Sequence, residues 1–197
     1  MSNENSRSAS ACAFRLELSG GFLLLLSLTG FLCGREALLA ASLAAAVHEM
    51  GHLALILYQG SLPASLRLDA SGASLRCIEP EPTMRQERIR ALAGPAAGIA
   101  LWMLLRCSES AFLRAGAGMS LMLSLVNLLP APGLDGGRVL GCLLTGALDA
   151  ETWLRISCLL GFLSALLTIL LGILRSPQLL LYGIWLFLRQ LRMLLRD

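Results

Sequence analysis

The only two histidines in this 197-residue chain lie four residues apart, in His48-Glu49-Met50-Gly51-His52. On a helix, positions i and i+4 share a face, so both imidazoles can converge on one metal ion. The glutamate beside the first histidine can then serve as general base toward a water at that ion. Apolar residues lead in (Ala37-Leu38-Leu39-Ala40-Ala41) and lead out (Leu53-Ala54-Leu55-Ile56-Leu57-Tyr58). A carboxylate and two imidazoles are costly inside such a run, so ionisable groups there point to function. The chemistry implied is metal-assisted hydrolysis inside a membrane.

Two imidazoles do not complete a catalytic zinc site, which normally takes three protein ligands. With no third histidine, the remaining ligand is a carboxylate or a thiolate. The six cysteines (Cys12, Cys33, Cys77, Cys107, Cys142, Cys158) are scattered without ligand-like spacing. Most fall in or beside apolar runs, where cysteine packs as a small hydrophobe. Of the four aspartates, only Asp135 stands between a Pro/Gly-broken segment and a new apolar run. Its setting is Asn127-Leu128-Leu129-Pro130-Ala131-Pro132-Gly133-Leu134-Asp135-Gly136-Gly137-Arg138. Alone, an aspartate at such a junction reads first as a helix N-cap. Beside an H-E-x-x-H that lacks its third ligand, it reads as that ligand. Two imidazoles and a carboxylate suit one Zn2+ ion, and also other divalent ions of similar preference.

The elements that must position these groups are membrane helices. The chain is 56% hydrophobic and only 15% charged, against about a quarter charged in ordinary globular domains. That excludes a soluble zinc protease. The net charge of +3 comes from 16 basic residues, all arginine and mostly at the ends of apolar runs. They read as topology and headgroup anchors, so no nucleic-acid partner is expected.

Apolar runs cover about residues 16–33, 37–58, 89–105, 111–129, 136–148, 156–174 and 179–195. A span needs about 17–25 residues, and the fifth run is too short. The expected fold is therefore membrane all-α with about six transmembrane helices, the fourth and fifth runs forming a broken, partly re-entrant unit near residues 127–137. One polytopic domain, 1–197, is expected, with a core at 37–148 and accessory helices at 16–33 and 156–195. Between the second and third runs lies a polar stretch, 59–88. Within it, residues 64–68 and 73–78 alternate apolar and polar around turn residues 69–72, which predicts a β-hairpin; a surface ribbon joining two helices fits the pattern equally. A hairpin edge there could take up an extended peptide by strand addition.

Arg67, Arg76, Arg85, Arg88 and Arg90 make the loop after the second run the most basic, which places that loop, the N-terminus and access to the site on the cytoplasmic side. Arg189, Arg192 and Arg196 line one helical face and can snorkel to either interface. Residues 1–13 are polar, with no small-x-small site after the first run, unlike a cleaved signal.

His48-Glu49-Met50-Gly51-His52, Ala93-Gly94-Pro95 and the stretch from Asn127 to Gly137 together resemble, in the same order, the site-2 protease family of intramembrane zinc metalloproteases. The resemblance covers about residues 37–148. It implies that His48, His52 and Asp135 ligate zinc and that Glu49 activates water. It also implies that Asn127 holds the substrate backbone or developing oxyanion, with Pro130 beside it at the substrate. The chain has no room for a PDZ or CBS domain and is most similar to compact members, including those of the sporulation type. The implied substrate is a membrane-anchored regulator, such as an anti-sigma factor, a sigma-factor precursor or a signal-peptide remnant, cut in a bacterial cytoplasmic membrane. A regulatory membrane partner or a homo-oligomer stays open. Two rivals remain: an inactive relative that binds membrane segments, and a metal transporter, which would string polar residues through several spans.

Overall fold

The computed structural model describes residues 15–69, 72–77, 82–175 and 177–195. Among them run seven helices: α1 (Gly20–Cys33), α2 (Arg35–Tyr58), α3 (Met84–Leu105), α4 (Ala111–Asn127), α5 (Asp135–Leu144), α6 (Ala150–Arg175) and α7 (Pro177–Leu194). Three strands, β1 (Arg15–Leu18), β2 (Pro63–Asp69) and β3 (Gly72–Cys77), complete the fold. The architecture is thus mostly helical with a small sheet. Among the described residues, three segments are long and apolar enough to cross a membrane: α2, α3 and Glu151–Arg175 of α6. Helix α4 is apolar but shorter, and α5 has only ten residues.

Strand β2 lies between its neighbours, parallel to β1 (Arg15 opposite Ser65) and antiparallel to β3 (Ser65 opposite Arg76). The hairpin after the second helix is therefore present, although residues 70 and 71 of its turn, and Ile78, lie outside the described residues, as do residues 1–13. The first apolar run begins differently from expectation. Residues 15–18 alternate Arg-Leu-Glu-Leu, a period of two, and join the sheet as β1, so α1 starts only at Gly20 and has 14 residues. At 1.5 Å per residue that is about 21 Å, short of a hydrocarbon core of about 30 Å.

Helix boundaries follow local chemistry. Gly34, at φ 85, separates α1 from α2. At the far end of α2, Gly60 has φ 78, its N–H donates to the Leu57 carbonyl, and the Ser61 N–H donates to the Ile56 carbonyl. Those two bonds satisfy end carbonyls in the Schellman manner and turn the chain into β2. Helix α3 starts five residues before the expected third run. Thr83 and Gln86 form a reciprocal capping box, the Thr83 N–H donating to Gln86 Oε1 at 2.9 Å and the Gln86 N–H to Thr83 Oγ1 at 3.3 Å. Asp149 Oδ2 accepts from the Thr152 N–H at 3.0 Å at the head of α6, which holds that carboxyl below its ordinary value.

Helix α3 is the hub, packed on α2, α4 and α5, while α6 packs chiefly on α7. Small residues let the hub close up. A Cβ at Gly51 of α2 would meet the Ala93 carbonyl and Ala97, and one at Gly98 of α3 would overlap Ser124 of α4. Ser120 Oγ donates to the Gly98 carbonyl at 2.9 Å across that contact. The α6–α7 pair meets the rest through the connection before α5: Ala131 and Leu134 are buried against Ala165 and Leu186, with Leu129, Tyr182 and Trp185 around them.

Candidate metal centre

Helix α2 carries His48 and His52 on one face, with ring centroids 4.9 Å apart. Asp135 is the first residue of α5, delivered by a connection broken at Pro130 and Pro132 and turned by Gly133 at φ 77. A carboxylate suits the N-terminal end of a helix dipole. It does not cap the helix, however: Leu134 occupies the cap position, and no side chain bonds there. Asp135 turns instead to the histidines. Its Oδ2 lies 3.1 Å from His48 Nε2 and 3.2 Å from His52 Nε2, and the two Nε2 atoms are 3.2 Å apart. His48 and Asp135 are only 3% and 6% exposed.

Three potential ligand atoms thus crowd one point. His52 Nδ1 lies 2.8 Å from the Arg90 carbonyl oxygen, which can only accept. Nδ1 therefore carries the ring hydrogen, and Nε2 aims a lone pair at the centre. A hydrogen on His48 Nε2 could satisfy one contact and would leave the other lone pairs opposed. A cation at the centre satisfies all three. Zinc bonds of about 2.0–2.1 Å in tetrahedral array place donors about 3.3 Å apart, close to the spacing present. Among the described residues, His48, His52 and Asp135 form the one group of this kind able to hold a metal ion.

One glycine shapes the floor. A Cβ on Gly94 of α3 would overlap His52 Nε2 and press on His48 Nε2. Gly136 and Gly137 allow close approach too, but to the connection itself: a Cβ on either would overlap the carbonyls of Leu128 or Ala131.

Glu49 is half-buried, adjacent to His48 on α2. Asn127 is the last residue of α4 and half-buried, its Nδ2–H donating to the Leu123 carbonyl of its own helix at 3.0 Å. Pro130 lies half-buried in the connection. Several contributors escaped the sequence analysis. Arg138 donates to both Asp135 and Glu87, and its position three residues after Asp135 was a readable signal. Arg90 is 6% exposed, and its guanidinium donates to Gln59 Oε1 and Ser61 Oγ at 2.6 and 2.7 Å. Arg189, expected to snorkel to an interface, donates to the Gly133 carbonyl at 3.3 Å and lies 5.5 Å from the Trp185 ring. A cavity of about 790 Å³ has Glu87, Arg138, Cys142 and Trp153 on its wall.

Fold and site together define a helical membrane protein with a buried His-His-Asp centre able to hold a metal. No protein-family model matches the sequence, and no curated protein sequence matches it. Its fold is similar to that of the site-2 protease from Methanocaldococcus jannaschii, with a TM-score of 0.66 over 91% of this chain and 90% of that one, at 20% identity. The chain has the site-2 protease fold.

Proposed function

We propose that the protein is an intramembrane zinc metalloprotease of the site-2 type. It hydrolyses a peptide bond within or next to a transmembrane segment of a membrane-anchored regulatory protein. The observation that carries this reading is the convergence of His48 Nε2, His52 Nε2 and Asp135 Oδ2 within 3.1–3.2 Å. Glu49 lies beside it, and the fold supports it.

His48, His52 and Asp135 hold one zinc ion, which when bound acidifies water and polarises a carbonyl. Glu49 takes the proton of the attacking water and passes it to the leaving amine as the C–N bond breaks. Asn127 exchanges its bond to Leu123 for one to the substrate backbone or the developing oxyanion, with Pro130 bordering the same strand. A helical substrate hides its carbonyls in hydrogen bonds, so the segment must unwind first. The outer edge of β3 then offers backbone pairing to the extended strand. One polytopic domain, with its core at 37–148, sits in the bilayer in about six crossings. The N-terminus and the path for water face the cytoplasm of a bacterial cell.

Co-expression with single-span substrates tests the reading. The wild type is expected to produce a cut fragment, and Glu49→Gln, His48→Ala and Asp135→Ala are expected to leave the substrate whole. A wild type that loads metal and cuts none of a panel of spans would instead favour a binding protein of the same fold.

A further inference from the structure

The guanidinium of Arg138 is shared between two carboxylates. Its Nε and Nη2 donate to Glu87 Oε1 of α3 at 3.0 and 2.6 Å, and its Nη1 donates to Asp135 Oδ1 at 3.3 Å. The other oxygen of Asp135, Oδ2, is the one that faces His48 and His52. Arg138 therefore occupies one oxygen of the carboxylate and leaves a single oxygen to the centre. Glu87 sits on α3 one turn before Arg90, whose carbonyl holds His52. The same short stretch of α3 thus fixes a ligand from α2 and a ligand from α5.

We infer that Glu87 and Arg138 are positioning residues that aim Asp135 at the metal, an inference that rests on the metal-centre reading above. Glu87 is needed because Arg138, 42% exposed in its side chain on the cavity wall, is otherwise free to swing away from Asp135. The pair also adds no net charge beside the ion, since Glu87 offsets the arginine. As a mere tether between α3 and α5, such a part-exposed pair would contribute little to stability. Partners that orient a metal ligand commonly matter far more to metal affinity.

The test uses the full-length chain in detergent: wild type, Arg138→Gln, Arg138→Lys, Glu87→Gln and the double exchange Glu87→Arg/Arg138→Glu. Three quantities are read: zinc affinity by competition with a chelator, the absorption spectrum of the Co2+-loaded protein, and the melting temperature of the metal-free protein. Arg138→Gln and Glu87→Gln are expected to weaken zinc binding about 10- to 100-fold and to change the Co2+ spectrum. Arg138→Lys, which keeps the charge but lacks the planar fork of the guanidinium, should fall between. The metal-free melting temperature should change little in any of these variants, and the double exchange should restore the α3–α5 ion pair but not the affinity, because it sets a carboxylate against Asp135. Wild-type affinity in Arg138→Gln, or in the double exchange, would overturn the inference and leave the metal centre standing. A wild type that binds neither Zn2+ nor Co2+ would overturn the metal centre itself, and the inference with it.

Discussion

Gly94 of α3 lies so close beneath His52 of α2 that a single added methyl would overlap the imidazole Nε2. The same methyl would come within 2.8 Å of His48 Nε2. The helix that supports the centre is therefore pressed against it without a side chain between. Close packing of this kind leaves no room for relief by rotamer change, because the obstacle is backbone on one side and ring on the other.

Gly94→Ala should accordingly lose metal binding and about 1–3 kcal/mol of stability, the usual cost of forcing extra volume into a packed site. Gly116→Ala in α4 is the matched comparison, since nothing lies within 4 Å of a Cβ there. It should be neutral or slightly stabilising, as expected for a helical glycine replaced without strain. Metal content and thermal unfolding of both variants in detergent check this. A Gly94→Ala protein with full metal content would contradict the packing argument.

Chelation should lower the melting temperature, and added Zn2+ should restore it. An ion bound only by the folded state stabilises by about 2.7 kcal/mol when present at a hundredfold excess over its dissociation constant. His52→Ala should show neither the loss nor the recovery. An identical unfolding curve for wild type with and without chelator would count against a metal at these three residues.

The connection that delivers Asp135 depends on Gly133, at φ 77, and on Arg189, which donates to its carbonyl. Gly133→Ala places an ordinary residue in left-handed backbone at a cost of about 1–2 kcal/mol. Arg189→Ala should have a smaller effect on global stability but should speed amide hydrogen exchange across residues 129–134. Exchange in that segment unchanged in both variants would mean that α7 does not brace it.

Thr83→Ala removes the capping box of α3 and should cost about 0.5–2 kcal/mol. Because Thr83 lies outside the metal group, the folded fraction should keep its metal content. Loss of metal in proportion to the folded protein would show that the start of α3 is coupled to the centre more tightly than its geometry implies.

The chemical centre was legible in the sequence because its signal lies in residue type and spacing. Only His48 and His52 were available as imidazoles, and only Asp135 followed a Pro/Gly-broken segment. What escaped depended on direction and packing. Arg189 has the setting of an interfacial anchor, and only its contacts with Trp185 and the Gly133 carbonyl show that it also braces the connection before α5. Glu87 sat in a stretch read as polar loop, although Thr83 and Gln86 spelled a capping box that would have placed it on a helix. Residues 16–18 were absorbed into an apolar run by their two leucines, while Arg15 and Glu17 already carried the alternation of a strand. Ala93-Gly94-Pro95, near the start of the apolar run at 89–105, lies in the middle of α3, because the charged first turns of that helix hid its true start.

The most direct test is hydrolysis in 18O-labelled water by the purified, metal-loaded protein, reconstituted in vesicles with a single-span peptide and analysed by mass spectrometry. The wild type should release two fragments, one bearing a new carboxylate with one labelled oxygen. Glu49→Gln should retain one metal ion per chain and release neither fragment. Equal cleavage by Glu49→Gln, or a wild-type protein that holds its metal and cuts no spanning peptide offered, would contradict the assignment of His48, Glu49, His52 and Asp135 as a proteolytic centre.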